Sequence, residues 1–135
     1  MPEEVHSLTA KVPALRRHAY LFTGSRSMAD DAVETCLREL PRHADGRHAQ
    51  DIDEPTLHRH LHKILTEMQE ARADLAVSPR LRSLLALPRV QRKLLLLVSL
   101  DHLAVKDAAG ILGLDLTTAV HHLSAARSAF EALEA

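Results

Sequence analysis

Apolar residues recur along this chain at spacings of three and four, in stretches punctuated by Gly, Pro and Ser. Leu8, Val12, Leu15, Ala19 and Phe22 share one face of a segment from about Ser7 to Thr23, which Gly24 ends. Pro13 falls inside it, so this first helix either starts there or is kinked in its first turns. Ser27 followed by Asp30 has capping-box spacing with Asp in place of Glu, and Asp30, Asp31 and Glu34 bring negative charge to the positive end of a helix dipole. The predicted second helix covers about Met28 to Leu40. It buries Met28, Ala32, Val33, Cys36, Leu37 and Leu40, and Pro41 stops it. Residues 41–54 are polar and aperiodic, which predicts a long exposed loop. Pro55, capped by Asp53 or Glu54, opens a third helix that carries Leu57, Leu61, Ile64, Leu65, Met68 and Leu75 to about Ala76.

Val77-Ser78-Pro79 is the best boundary in the chain, with Ser78 as cap and Pro79 at the first position of a fourth helix. Leu81, Leu84 and Leu85 mark that helix as short, broken at Pro88. A further helix from about Arg89 to Leu100 carries the unbroken apolar run Leu94 to Val98, which predicts burial on most sides. Val105, Ala108, Ala109 and Leu112 then form a stripe that ends at Gly113, and Asp115 caps a last helix bearing Ala119, Leu123, Ala126 and Phe130. A short helix, a Gly-containing corner and a longer helix make a helix-turn-helix, with small Ala108 and Ala109 permitting a close crossing. The predicted fold class is all-α, in two small modules: a three-helix bundle over residues 1–77 and a helix-turn-helix bundle over 78–135.

Composition sharpens this. A hydrophobic content of 46% with two Phe, one Tyr and no Trp means a core of Leu, Ala, Val and Ile, which suits helices packed on helices and argues against a sheet. The formal charge of -1 lacks the basic excess that a general nucleic-acid binder shows. Residues 1–77 hold ten basic and thirteen acidic side chains and residues 78–135 hold seven and five, so only the second module is on balance cationic. Cys36 stands alone, which excludes an internal disulfide and suits a reducing cytoplasm, and its place in an apolar stripe marks it as a packed small hydrophobe. No signal-peptide core and no apolar run near twenty residues is present, so a cytoplasmic protein without a membrane span is expected.

The helix-turn-helix has the shape of a DNA reader but little of the chemistry. Its last helix presents Thr117, Thr118, Val120, His121, His122 and Ala125, with Arg127 as the only cation. Duplex affinity rests largely on neutralised phosphates, and the commonest base contact is a bidentate Arg or Lys to guanine. Arg80, Arg82, Arg89, Arg92 and Lys93 are candidates for phosphate contacts from outside that helix. In the first module Arg16, Arg17 and His18 are expected on a solvated face. His58, His60 and His62 lie on the third helix, and the i, i+4 pair has metal-site spacing, but a structural zinc needs four ligands and none completes the set. The reading is therefore of exposed histidines that titrate near neutrality, with no metal and no cofactor. Gly-rich phosphate loops, nucleophile elbows and His-Glu-x-x-His runs are absent from the sequence, which speaks against an enzyme.

Leu15 to Val33, LRRHAYLFTGSRSMADDAV, resembles the start of region 2 in extracytoplasmic-function sigma factors, and Leu84 to Phe130 resembles their region 4. In that family the recognition helix usually reads Gly-Thr-Val-Lys-Ser-Arg-Leu-Ser-Arg-Ala-Arg, and three of its basic positions are here Val120, His122 and Ala125. The family's promoter-melting run Trp-Leu-x-x-Ile-x-x-Asn corresponds to His60 to Glu67, with His for Trp and Glu for Asn. No aromatic ring lies between Phe22 and Phe130, so base stacking has no agent there. This double loss is similar to the sigma-factor-like domain of PhyR-type response regulators, which mimics a sigma factor and sequesters a NepR-type anti-sigma factor. Phe22-Thr23-Gly24-Ser25 and the Leu114-Asp115-Leu116 corner carry that likeness. The resemblance implies an anti-sigma factor as partner, met through Arg16, Arg17, Asp30, Asp31 and Glu34 of the first module and the exposed face of the last helix. It also leaves open a divergent working sigma factor that binds core RNA polymerase and promoter DNA, and an ordinary helix-turn-helix repressor. PhyR-type proteins carry a receiver domain as well, for which this chain has no βα pattern.

Overall fold

A computed structural model describes residues 2–43, 53–68, 74 and 77–134 of the 135. Seven α-helices account for nearly all of them, and no strand occurs among the described residues. α1 (Pro2–Thr23) passes through Pro13 without interruption, the proline being exposed, and begins earlier than the periodicity suggests. Gly24, at φ 74, ends it in the left-handed conformation that glycine adopts at least cost.

α2 (Arg26–His43) starts two residues before Met28, because the hydroxyl of Ser25 rather than Ser27 accepts from Met28 N at 3.3 Å. It also runs past Pro41. A proline cannot bond to the carbonyl four residues back, but the turn already begun can finish, and the helix ends two residues later. α3 (Glu54–Glu67) has Asp53 as its cap, accepting from Thr56 N at 2.9 Å, and Pro55 in its first turn. It stops at Met68 in extended geometry, short of the expected Ala76, although Met68 keeps the apolar spacing and packs against the first bundle's core. Most of the expected 41–54 loop lies outside the described residues, as does Leu75.

α4 (Pro79–Leu85) is capped as expected by the hydroxyl of Ser78, which accepts from Leu81 N at 3.1 Å. α5 (Arg89–Leu95) does not continue as an α-helix to Leu100. It widens into a π-helical turn over Leu96–Leu100, closed by Asp101 N donating to Leu96 O at 3.0 Å, and His102 stands just beyond at φ 60. The five-residue spacing of a π turn advances the next side chains around the axis relative to an α turn. α6 (Val105–Leu112) ends at Gly113, φ 68, and α7 (Leu116–Glu134) begins with the Asp115 carboxylate accepting from Thr118 N at 2.7 Å. Both predicted punctuation residues of the helix-turn-helix act as expected.

Two hydrophobic clusters hold these elements. The first joins α1, α2 and α3 through Leu15, Ala19, Phe22, Val33, Cys36, Leu57, Leu61 and Leu65, among others. The second joins α5, α6 and α7 through Leu94, Leu97, Ala108, Ala109, Ala119 and Leu123. Ala108 and Ala119 are fully enclosed, so the helix-turn-helix corner closes at short range. α4 is the exception to a division at 77/78, because its Leu81 and Leu84 pack into the first cluster. Ala129 and Phe130 of α7 reach the same cluster. The two bundles therefore meet along a seam formed by α1 and α3 on one side and α5, the π turn and α6 on the other.

Candidate partner surfaces and the polar seam

Of the residues singled out on α7, Thr117, Val120, His121, Ala125 and Arg127 are exposed, while Thr118 and His122 are half-buried. Leu116 and Val120 are about half exposed, at 52% and 49%, and are the most open of the large apolar side chains among the described residues. Val120 and Arg127 line one shallow groove with Val105, Leu123, Ser124 and Glu131. Thr117, His121 and Ala125 lie on the adjoining face. The sequence reading missed Leu116 as part of this surface, having placed it in the corner. Its position directly after a cap residue, where the first turn has no preceding turn to pack against, was the available signal.

On the first bundle, Arg16, Arg17 and Asp30 come together around a second shallow cleft with Tyr20, Arg26 and Ala29. Arg16 Nε lies 3.8 Å from Asp30 Oδ1, both well exposed, an arrangement worth little in stability. The Arg26 guanidinium sits over the Tyr20 ring at 5.0 Å. Asp31 and Glu34 are exposed on α2 but are not in this cleft. Tyr20 and Arg26 were not anticipated, although Tyr20 is the chain's only tyrosine.

Polar residues expected in solvent are instead buried in the seam. Arg92 and Lys93, read as candidate phosphate contacts, are 9% and 0% exposed. Arg92 donates to Phe22 O at 2.6 Å, Leu85 O at 3.0 Å and Leu87 O at 3.1 Å, so one guanidinium caps the carbonyl ends of α1 and α4. Arg89, Arg92 and Lys93 all place their cationic groups over the Phe22 ring, at 5.2, 5.3 and 5.0 Å. Arg80 and Arg82 remain exposed and Arg89 is half-buried.

His18 and His58 correct the expectation of exposed histidines in the same way, at 0% and 3% exposure, and His60 and His62 are half-buried. His18 Nδ1 lies 2.7 Å from Asp101 Oδ2 and its Nε2 lies 2.6 Å from Lys93 Nζ. An ammonium can only donate and an ionised carboxylate can only accept. His18 is therefore the neutral Nδ1–H tautomer, linking Lys93 to Asp101 through one imidazole. His58 adds its ring at 5.0 Å from that of His18, with Nε2 3.8 Å from Asp101 Oδ1.

The protonation states are set by enclosure. Burial, helped by the neighbouring Lys93 and His62 charges, holds His18 well below its ordinary value. His58 is brought to about 4 by burial, then by His18, against the pull of Asp101. His62 is also brought to about 4 by burial, with Lys93 and Arg89 adding to it. Burial lowers Lys93 to about 7 although Asp101 opposes the shift, and raises the Asp101 carboxyl against the attraction of His58 and Lys93. His60 pairs instead with Glu39 on α2 at 2.8 Å.

Donor atoms of His18, His58 and Asp101 lie within 4.8 Å of one another, close enough for a cation to bridge them. The Lys93 ammonium is such a cation, already in contact with His18. Cys36 is fully enclosed and its thiol is pushed up to about 12 by burial, so it packs rather than reacts. Among the described residues no helix is long and apolar enough to cross a membrane.

Residues 8–62 match the family model described as the sigma2 domain of PhyR, and residues 81–130 match that of sigma-70 region 4. The chain belongs to the sigma-factor-like proteins. Both of its domains are those of transcription regulators rather than of catalysts. No curated protein matches it by sequence.

Solved structures give the same fold. One is the co-crystal structure of the sigma factor RpoE in complex with the anti-sigma factor NepR from Bartonella quintana. The match has 20% identity and a TM-score of 0.83 and covers 98% of this chain and 97% of that one. The PhyRSL-NepR complex from Sphingomonas sp. Fr1 matches at 22% identity and TM-score 0.76, over 93% and 85% of the two chains. CnrH in complex with the cytosolic domain of CnrY matches at 21% identity and TM-score 0.79, over 96% and 86%.

Proposed function

We propose that this chain binds an anti-sigma factor in place of a sigma factor and so sequesters it, releasing the sigma factor to act. The α7 surface carries this reading. A helix in the position of a promoter reader exposes Leu116 and Val120, with Thr117, His121 and Ala125 beside them and Arg127 as the cation of its groove. Exposed apolar side chains gain by burial against a partner helix and gain nothing from phosphate. The burial of Arg92 and Lys93 supports the same reading, because it withdraws two of the five cations otherwise available to a promoter. The solved neighbours described as complexes with NepR or CnrY make a small anti-sigma protein the natural partner class. Arg16, Arg17, Asp30, Asp31 and Glu34 supply the polar part of the contact on the first bundle.

Isothermal titration with a NepR-type anti-sigma protein tests this. A saturable complex weakened by Leu116→Asp and Val120→Asp is expected, and no heat at micromolar concentration would refute it. The second reading, a working sigma factor binding core RNA polymerase and promoter DNA, rests on exposed Arg80 and Arg82. A specific run-off transcript from core polymerase and this chain would establish it instead.

A further inference from the structure

Beside the apolar packing of Leu81, Leu84, Leu96, Ala129 and Phe130, the seam between the bundles holds a cluster of ionisable groups, and the side chains involved come from both sides of it. His18 lies on α1 and His58 on α3. Lys93 lies on α5 and Asp101 directly after the π turn. Their hydrogen bonds, 2.7 Å from His18 to Asp101 and 2.6 Å from Lys93 to His18, cross the seam. Groups such as these are satisfied by water when separated, so this part of the contact between the bundles depends on their charge.

Water has a route to the cluster. His58 and Asp101 line a cavity of about 210 Å³, together with Lys11, Arg17, Glu54 and His102. The hydrogen-bonded chain from Lys93 through His18 to Asp101 is complete with both imidazoles neutral. A proton added to His18 Nε2 would face the Lys93 ammonium, and one added to His58 would be enclosed with it, burial outweighing the pull of Asp101 at 3.8 Å. We propose that the His18, His58, Lys93 and Asp101 cluster is a proton-operated latch that holds the two bundles together and lets them separate when its imidazoles take up protons.

The neighbours reinforce the direction. Arg17 on α1 and Arg89 on α5 are cationic, and His62 on α3 becomes so on acidification. Arg92 is a second tie across the seam and does not titrate. His58 is held at about 4 when enclosed and takes its ordinary value of 6.5 when the seam opens, so the open form binds more protons. The part of docking that depends on His58 is thus full above about 6.5 and is lost progressively as pH falls toward 4. From His58 alone the ratio of docked to open chain falls roughly 30-fold between about pH 8 and about pH 5. Lys93 acts in the same sense at higher pH. Asp101, whose carboxyl is raised, opposes the change only in the acid range.

The test places spin labels at Arg38→Cys on α2 and Lys106→Cys on α6, both outside the buried clusters, in a Cys36→Ala background. One short distance is expected at pH 8 and a longer, broader one at pH 5, with far-ultraviolet helicity unchanged. The His18→Gln and His58→Gln double variant should stay docked at pH 5. An unchanged distance in the parent chain overturns the latch, as does loss of helicity together with distance, or an identical opening in the double variant. Should that variant not fold, the imidazole C2 protons of the parent chain decide. Titration well below 6.5 coincident with opening supports the latch, and titration near 6.5 in the docked chain overturns it.

Discussion

Replacing Arg92 by Met separates two accounts of this residue. As a phosphate contact on the surface, Arg92 would be lost without effect on stability. As the buried tie seen here, it gives up hydrogen bonds to Phe22, Leu85 and Leu87 at 2.6 to 3.1 Å and leaves those carbonyls enclosed. Hydrogen bonds to a charged group are worth about 1.5–3 kcal/mol each, and the stacking over Phe22 adds about 0.5–2 kcal/mol. Against this, returning the guanidinium to water in the unfolded chain recovers several kcal/mol of desolvation per ion, and Met keeps the packing of the aliphatic stem. The net expected loss is about 2–4 kcal/mol, a large part of the stability of a small domain. Urea unfolding monitored by circular dichroism should show the midpoint falling by roughly 1–2 M at an unchanged slope. Arg92→Lys, which can reach one carbonyl, should recover only part of it. A midpoint within about 0.3 M of the parent, roughly 0.6 kcal/mol at an ordinary slope, would refute the buried role.

Gly113→Ala should cost about 1 kcal/mol, read as a lowered melting temperature, because φ 68 strains an L side chain even though the space beside it is open. Cys36 should resist a thiol reagent at pH 8 in the folded chain and react at once in denaturant, since its thiol is pushed up to about 12 by burial. Val120→Lys, His122→Arg and Ala125→Arg together should raise duplex affinity by about tenfold or more at low salt if missing charge alone separates α7 from a promoter reader, with a steeper salt dependence in the filter-binding curve. No gain would show that the α7 surface is shaped for protein.

What the sequence reveals and what it hides differ in physical kind. Gly24, Ser78, Gly113 and Asp115 were legible because their roles are local: a cap or a left-handed corner depends on its neighbours within one turn. The apolar faces of α1 to α3 and of the helix-turn-helix were legible from spacing. His18, Lys93 and Asp101 were not, because each is polar by type and satisfied only by residues 75 to 83 positions away. A trace of them was nonetheless present. His18 falls between Leu15, Ala19 and Phe22 on the buried stripe of α1, and His58 and His62 come directly after Leu57 and Leu61 on that of α3. The same error placed Arg92 and Lys93 in solvent. The end of α3 at Met68 and the π turn at Leu96–Leu100 depend on how the bundles meet, and nothing local announces either. Of the candidate partner residues, the exposure of Thr117, Val120, His121, Ala125 and Arg127 was legible from the spacing of the apolar stripe on α7. Leu116, Tyr20 and Arg26 emerged only once the helices were packed.

The central claim, that a sigma-like scaffold here serves a protein partner rather than a promoter, is tested most directly by reconstituted transcription. Core RNA polymerase, a sigma factor and its NepR-type anti-sigma factor are combined so that transcription is silenced, and this chain is then titrated in. The account predicts that run-off product returns in proportion to the chain added and that core polymerase with this chain alone yields none. Persistent silence, or a specific transcript from the chain and core polymerase without any other sigma factor, would contradict it.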